Sequence, residues 1–278
     1  VINYFGRGNT TANENRMRSQ FDYNRLRYSQ YYVKPKLVQQ FGGGDQFFTL
    51  SGGYTYTIAE RTPDRITAIE NDLMSGLSDS DFLGKQYLSA SANYSIDRVD
   101  SKLNPKRGVK FMAETGIQSG IQDGGLTFGY AKSELSFYYT PWSPFPLTLA
   151  FRGGLAANFG ETEFFQSQFL GRRNGLRGFR GERFAGDRVA YFNSEARMTL
   201  GTVSGILPDV EFGLIGAYDQ GKVWVKDDVK SPWHRSVGGG LWIAPFQAIY
   251  ISGTVSQGIR NDNFNESVFT DFRLGFWF

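Results

Sequence analysis

Few side chains in this sequence are of the types that carry covalent chemistry. There is no Cys and a single His, His234, which follows Trp233 at the end of a predicted loop. A Ser nucleophile needs a neighbouring His to accept its proton, and a lone polar His in a loop gives no sign of such a pair. The Asp and Glu residues are scattered along the predicted strands, without the spacing of paired catalytic carboxylates or metal ligands. The sequence therefore predicts no catalytic residue, no metal and no cofactor.

The densest charge lies in one long predicted connection, residues 160–187. Its centre, residues 171–180, reads GRRNGLRGFR, and six Arg fall between Arg172 and Arg188. A connection of this length without predicted structure is usually functional. A guanidinium forms bidentate, charge-assisted hydrogen bonds with carboxylates or phosphates. The loop therefore predicts either an ion pair with acids elsewhere in the fold or a solvent-facing basic surface that binds phosphates.

The elements that must position this loop are β-strands. From Gln46 to Ile58, apolar and polar side chains alternate, which is the pattern of a strand with one apolar and one polar face. The same period of two recurs along the chain and predicts twelve strands: 1–6, 20–38, 46–59, 85–97, 108–119, 126–140, 146–159, 188–201, 209–221, 235–244, 247–257 and 267–278. Strands in soluble sandwiches are usually shorter, whereas strands of this length with one apolar face match a transmembrane antiparallel barrel.

The connections between these strands alternate in length. Those after even-numbered strands are short, such as 141–145, and several after odd-numbered strands are long, such as 160–187. Short turns at one end and long loops at the other are typical of an outer-membrane barrel with both termini in the periplasm. The alternative is a soluble all-β protein that buries the same apolar faces in a core. Residues 65–74, with apolar side chains at helical spacing, predict one short external helix.

Composition excludes two other classes of protein. The formal charge is +3 over 278 residues, so no basic surface for nucleic acid is indicated. The longest uncharged run is broken by Gly, Pro, Ser and Thr, so no segment of about 18 consecutive apolar residues predicts a transmembrane helix.

Several short motifs resemble those of the BamA-like superfamily of outer-membrane assembly and two-partner-secretion transporters, also called bacterial surface antigens. Their hallmark is a Val-Arg-Gly-Phe/Tyr tetrapeptide in a long external loop, five strands before the C-terminus. The matching positions are Leu176, Arg177, Gly178 and Phe179 in the loop, Asp219 in the strand segment Ala217–Gly221, Asn104, Pro105 and Gly108 in a periplasmic turn, and the aromatic C-terminal signal Phe276 and Phe278. The resemblance covers essentially the whole chain. Departures are Leu176, Ala217, a Gly275 closer to the end than usual, and twelve strands where sixteen are typical.

The resemblance implies that the long loop folds back into the barrel lumen, where Arg177 pairs with acids on the wall. The strand alternation agrees, because Asp219 shares parity with Glu211 and points inward, and Glu195 has lumen parity as well. Such an ion pair positions the loop and does no bond chemistry. The other loop arginines, Arg172, Arg173 and Arg180, are interpreted as surface charges.

The family implies a function in the insertion or translocation of proteins at the bacterial outer membrane. The expected partners are outer-membrane lipids and lipopolysaccharide, client outer-membrane or secreted proteins, and accessory lipoproteins or periplasmic domains, with no nucleic acid. Residues 1–278 are expected to form one barrel domain, either a compact family member or the C-terminal part of a longer protein with periplasmic or enzymatic domains upstream. The alternatives are a barrel that anchors or exports one attached or partner domain, an outer-membrane enzyme such as a phospholipase, and a narrow porin.

Overall fold

The protein is described here by a computed structural model. The structure describes residues 2–4, 26–60, 79–122, 125–141, 146–205, 209–225, 232–246, 248–260 and 263–276. The predicted external helix at 65–74 lies outside these residues. No helix in the described ranges is long and apolar enough to cross a membrane.

Long β-strands make up most of the described chain, as the alternation of side chains predicts. Thirteen belong to one sheet and the other two form a small hairpin. The strands are β1 Ile2–Tyr4, β2 Leu26–Val33, β3 Lys36–Phe41, β4 Gln46–Glu60, β5 Lys85–Val99, β6 Gly108–Gly120, β7 Thr127–Tyr139, β8 Leu147–Gly160, β9 Gln168–Leu170, β10 Phe184–Gly186, β11 Arg188–Val203, β12 Val210–Trp224, β13 His234–Pro245, β14 Ile249–Arg260 and β15 Asn263–Phe276.

The large sheet is an antiparallel meander whose path of twelve strands confirms the predicted number. Its order is β1-β2-β4-β5-β6-β7-β8-β11-β12-β13-β14-β15. Each strand of this path is therefore paired with the next one along the chain, apart from β3, which also pairs with β4, and the separate hairpin β9–β10. The hairpin β9–β10 lies within the long connection and is not part of this sheet. β8 therefore pairs with β11 across residues 161–187.

One predicted strand, 20–38, is divided in the structure. β2 and β3 both pair with β4, and they are separated by Lys34 and Pro35. Pro has no amide hydrogen to donate to a neighbouring strand, so it interrupts the ladder at this point. Residues 20–25 of the predicted strand are not among those described.

The two faces of the sheet are inverted relative to a soluble protein. The apolar sides of the strands are exposed, as at Leu88 (52%) and Phe272 (73%), whereas the polar sides carry buried residues such as Thr57 and Ser91. Soluble monomers rarely expose a continuous apolar surface of this extent. The strands of a membrane barrel, in contrast, need a continuous apolar surface where they face lipid. The burial pattern therefore contradicts the soluble alternative and confirms the predicted assignment of the faces.

The polar side of the sheet encloses two inserted segments. Residues 161–187 contact strands from both halves of the sheet, with aromatic side chains against β1, β2 and β5 and charged ones against β11 and β12. Residues 100–107, between β5 and β6, contact β11 and β12. Between the described parts of β1–β3 and β15 there is no strand pairing. The sheet thus wraps around a lumen that these two segments partly fill.

Candidate functional site: the motif loop in the lumen

Residues 161–187, the motif loop, are folded by their own hydrogen bonds. Glu163 and Gln166 form a reciprocal capping box around a single 3-10 turn, and the hairpin β9–β10 brings the two halves of the loop together. At the tip, the carbonyl of Gly171 accepts hydrogen bonds from the amides of Asn174 and Leu176, at 2.9 Å each. The tip is therefore a compact turn that presents Arg177 to the wall of the lumen.

Apolar neighbours of Arg177 are buried against the base of the loop. Leu176 is fully buried, and Phe179 packs on Phe184 with ring centroids 5.3 Å apart. They form one cluster with Leu170, Val189 and Val223. These apolar side chains shield one side of the Arg177 ion pairs from water, which strengthens the pairs.

Gly178 has a steric role in the motif. Its backbone lies so close to β14 that an added Cβ would overlap the carbonyl carbon of Gln257. A side chain at this position would push the tip away from the wall and displace Arg177 with it. The motif position therefore requires Gly because of close backbone approach.

Arg177 and Asp219 make a bidentate ion pair. The Nη2 and Nε of Arg177 donate to the carboxylate of Asp219, at 2.6 and 2.8 Å to its two oxygens, and the backbone amide of Arg177 donates to Oδ2 at 3.0 Å. Asp219 is only 1% exposed. Planar fork-to-fork geometry of this kind fixes orientation as well as charge.

Asp219 also accepts hydrogen bonds from two neutral residues on adjacent strands. Asn193, its direct cross-strand partner on β11, donates at 2.8 Å, and Ser236 on β13 donates at 3.3 Å. The same amide of Asn193 donates to the carbonyl of Gly175, at 2.8 Å. Asn193 therefore holds both the carboxylate and the loop backbone. Sequence reasoning missed it and Ser236, since small polar residues with lumen parity recur on every strand.

Glu195 contacts Arg177 from the other side. Its Oε2 accepts from Nη1 of Arg177 at 2.6 Å, and its Oε1 accepts from Nε of Arg197 at 2.6 Å. Burial alone would lower the pKa of Arg177, but the hydrogen bonds and charge of Asp219, with the charge of Glu195, raise it above its usual value. Two arginines and two carboxylates thus form a neutral cluster in which every charge has a partner.

The cluster has the chemistry of positioning rather than of catalysis. An always-protonated guanidinium held by carboxylates offers neither a nucleophile nor a general base near neutral pH. His234 stacks on Phe184, with centroids 3.7 Å apart, at the base of the motif loop. No group of three or more potential metal ligands occurs in the described part of the chain.

The remaining motif residues lie apart from this cluster or outside the described residues. Gly108 starts β6 with φ +121°, where an added Cβ would overlap the carbonyl oxygen of Arg98, and Pro105 is buried. Phe276 is the last residue of β15, and Phe278 is not described. The Arg172 side chain, interpreted from sequence as a surface charge, is 37% exposed, and its Nε lies 3.4 Å from Oδ1 of Asp271 on β15.

Comparison with known proteins agrees with this architecture. The family profile of the Omp85 superfamily domain matches residues 3–265. BamA from Haemophilus ducreyi, in a form lacking POTRA domains 1–3, is similar with a TM-score of 0.63 and 16% identity over 90% of this chain and 55% of that one. CdiB from Escherichia coli and CdiB from Acinetobacter baumannii each give a TM-score of 0.57 and 14% identity over 90% of this chain, and 45% and 42% of theirs.

At these identities the structural likeness demonstrates a shared fold. The chain spans about half the length of these solved relatives. A search of the curated proteins found no match. The profile, in contrast, covers nearly the whole sequence. The chain therefore belongs to the Omp85 superfamily, as the loop motif and the strand pattern indicate.

Proposed function

We propose that this chain acts in the insertion or translocation of proteins at the bacterial outer membrane. The observation that carries the proposal is an exposed apolar outer face around a lumen that an ion-paired motif loop occupies. A wide aqueous pore would need an open lumen. The Omp85 profile favours protein transport over enzyme or porin activity.

The proposed orientation has the short connections and both termini in the periplasm, and the motif loop entering from outside. The exposed apolar faces would then contact membrane lipid, and the outer ends of the strands would meet lipopolysaccharide. Client polypeptides are the proposed cargo. Accessory lipoproteins or periplasmic domains are the proposed partners.

Arg substitutions at two adjacent residues of β5 test which face of the sheet contacts lipid. Leu88 is on the exposed apolar face, whereas Ser89 borders a lumen cavity of about 500 Å³. Arg at the lipid face costs roughly 2–4 kcal/mol at the membrane midplane and less toward the interfaces, and Arg in a water-filled cavity costs less still. We expect Leu88→Arg to impair folding into vesicles, as measured by heat-modifiable gel mobility. Ser89→Arg should fold as the parent does, and equal defects would contradict the orientation of the strands.

Client engagement is proposed to use the edges of the sheet. Among the described residues, Lys36–Phe41 pair on one side only, with β4, and β15 pairs only with β14. Hydrocarbon offers no hydrogen bonds, so unpaired strand edges are unfavourable there. A client strand satisfies such an edge by β-augmentation.

A photo-crosslinking residue at Leu37 tests this step. A matched control is Leu135, which is also exposed but lies on β7, a strand paired on both sides. We expect an unfolded outer-membrane client to cross-link to the probe at position 37 and not at position 135 during its insertion into vesicles. Equal cross-linking at both positions would indicate adsorption to the apolar surface and would contradict edge pairing.

A second candidate is a barrel that anchors or exports one attached or partner domain. It is compatible with the same fold, because structural likeness at 16% and 14% identity fixes the strand architecture and not the cargo. Residues 1–278 would then be the barrel domain of a longer protein with periplasmic or enzymatic domains upstream. Deleting such a domain from the full gene product discriminates the two. Loss of one exported passenger with normal assembly of other outer-membrane proteins would favour the second candidate.

The motif loop is proposed to be held in place by a loop lock, defined as Arg177, Asp219 and Glu195. What supports it is the bidentate pair with Asp219 and the second carboxylate at 2.6 Å. The lock leaves the lumen closed at rest. Its mutational test is given in the Discussion.

A further inference from the structure

The charged cluster continues beyond the loop lock through Arg197. Nε of Arg197 donates to Glu195, and its Nη1 donates to Oδ1 of Asn104 at 3.1 Å and to the carbonyl of Pro105 at 3.5 Å. Asn104 and Pro105 belong to the connection between β5 and β6. A continuous path of hydrogen bonds therefore runs from the motif loop to the short-turn end of the sheet.

Residues 100–107, the inner turn, sit inside the sheet at that end. Leu103 packs against a buried cluster that includes Trp242 and Tyr250. Lys106 pairs with Glu211 on β12 at 3.0 Å, and its carbonyl accepts from Thr140 beside β7. A connection between two neighbouring strands would ordinarily turn back at once. This one instead reaches strands on the other side of the lumen and spans its mouth.

We propose that Arg197 is a positioning residue that couples the seating of the inner turn to the loop lock. This inference rests on the loop lock and deepens the proposed function by naming what controls that site. When the turn is seated, Arg197 is held at Asn104 and Pro105, and it fixes the Glu195 carboxylate with one oxygen toward each arginine. Periplasmic binding that lifts the turn would loosen the hold of Glu195 on Arg177 and favour release of the loop.

Burial strengthens this coupling. The Arg197 side chain is 11% exposed and the Glu195 side chain 10%, and buried donors left without acceptors are unfavourable. If the turn departs, Arg197 loses both of its turn acceptors and keeps its hydrogen bond to Glu195. The carboxylate that Arg177 shares with Arg197 is then free to follow Arg197. Linkage makes the effect reciprocal, so releasing the motif loop also weakens the seat of the turn.

The coupling is testable through trypsin, because the motif loop carries several Arg and the proposed orientation shields the turn inside intact cells. The turn variant is Leu103→Ala with Asn104→Ala, which removes the apolar seat and one acceptor of Arg197. The matched control is Lys102→Ala in the same turn, whose side chain pairs with Asp97 and not with the cluster. The full-length protein is used, and cleavage within 171–183 is identified by mass spectrometry.

We expect the turn variant to raise the rate of loop cleavage about fivefold or more, the lower end of typical coupling between sites. Lys102→Ala should match the parent. In an Asp219→Ala background, where the loop is already released, the turn variant should add nothing. Arg197→Lys should restore part of the protection lost in Arg197→Ala, since an ammonium still neutralises Glu195 but cannot reach both turn acceptors.

Two results overturn different parts of the argument. If Asp219→Ala speeds loop cleavage while the turn variant behaves like Lys102→Ala, the coupling is wrong and the loop lock stands. If Asp219→Ala leaves cleavage unchanged, the loop lock itself is wrong. Heat-modifiable mobility is measured for each variant, and only variants with the folded parent mobility are compared.

Discussion

The motif loop is attached to the lumen wall at two places by different kinds of interaction. Near its start, Phe164 and Phe165 pack among the rings of Tyr4, Tyr28 and Tyr87, with centroid distances of 5.0 to 6.0 Å. Near its middle, Arg177 is held by carboxylates. The first attachment, the aromatic anchor, contacts β1, β2 and β5, and the second contacts β11 and β12.

The difference teaches how each attachment responds to change. Aromatic packing depends on buried area and volume. A smaller side chain therefore lowers the stability of this attachment in proportion to the buried apolar area that is removed. A bidentate ion pair depends on fork geometry, so removing either partner leaves the other charge buried without its main counter-charge. The aromatic anchor should therefore weaken gradually, whereas the loop lock should fail as a unit.

The largest effect is expected from breaking the loop lock. Removing one partner of a buried ion pair costs about 3–5 kcal/mol, and water in the lumen lowers that figure. We expect Arg177→Ala and Asp219→Ala each to expose the motif loop to trypsin while the strands keep their folded gel mobility. The double variant should be little worse than either single one, because the shared interaction is lost only once. Effects that add would mean that the two residues are not partners.

The geometry of the lock can be tested without removing its charge. Arg177→Lys keeps a cation but lacks the planar fork that spans both oxygens of Asp219. We expect its loop cleavage rate to lie close to that of Arg177→Ala. Protection equal to the parent would show that charge alone holds the loop.

The aromatic anchor should show the opposite tolerance. Phe164→Ala removes a buried ring at a cost of about 3–5 kcal/mol at a fully packed site. Phe164→Leu keeps most of the apolar volume and should cost less than about 1.5 kcal/mol. Urea titration of loop protection in the two variants measures the difference. Equal losses would indicate that ring geometry rather than burial holds this end.

The smallest effect is expected at the exposed ion pair of the same loop. Arg172 and Asp271 are 3.4 Å apart, with side chains 37% and 21% exposed. Such pairs contribute about 0–1 kcal/mol and are screened by salt. Asp271→Asn should therefore change loop cleavage slightly, and the change should vanish at 1 M NaCl. A loss as large as that of Asp219→Ala would show that burial does not set the strength of these contacts.

The sequence predicts the strands well because a period of two acts locally and repeats on every strand. It also predicts which side of β12 carries Asp219, since parity decides the face. The structure brings Arg177, Asp219 and Glu195 together, as the resemblance implies. In the structure, Pro35 divides the predicted strand 20–38.

Contacts between distant segments have no such local signal. Phe164 and Phe165 are two aromatics in a loop of a chain with many aromatics, and nothing in their spacing indicates Tyr4 or Tyr28. Arg197 and Asn104 are 93 positions apart. Only the three-dimensional path of the 100–107 turn across the lumen brings them together.

The pairing of β8 with β11 across residues 161–187 sets an order of events for folding. Most neighbouring strands of the sheet are joined by a short connection, and pairs of strands that are close in sequence form early. The seat of Arg177, in contrast, is built from Glu195, Asp219 and Ser236 on three successive strands. It does not exist until β11, β12 and β13 have aligned. During refolding, protection of the loop from protease should therefore appear after the circular dichroism signal of the sheet, and the nascent lumen should pass through a hydrated, open stage.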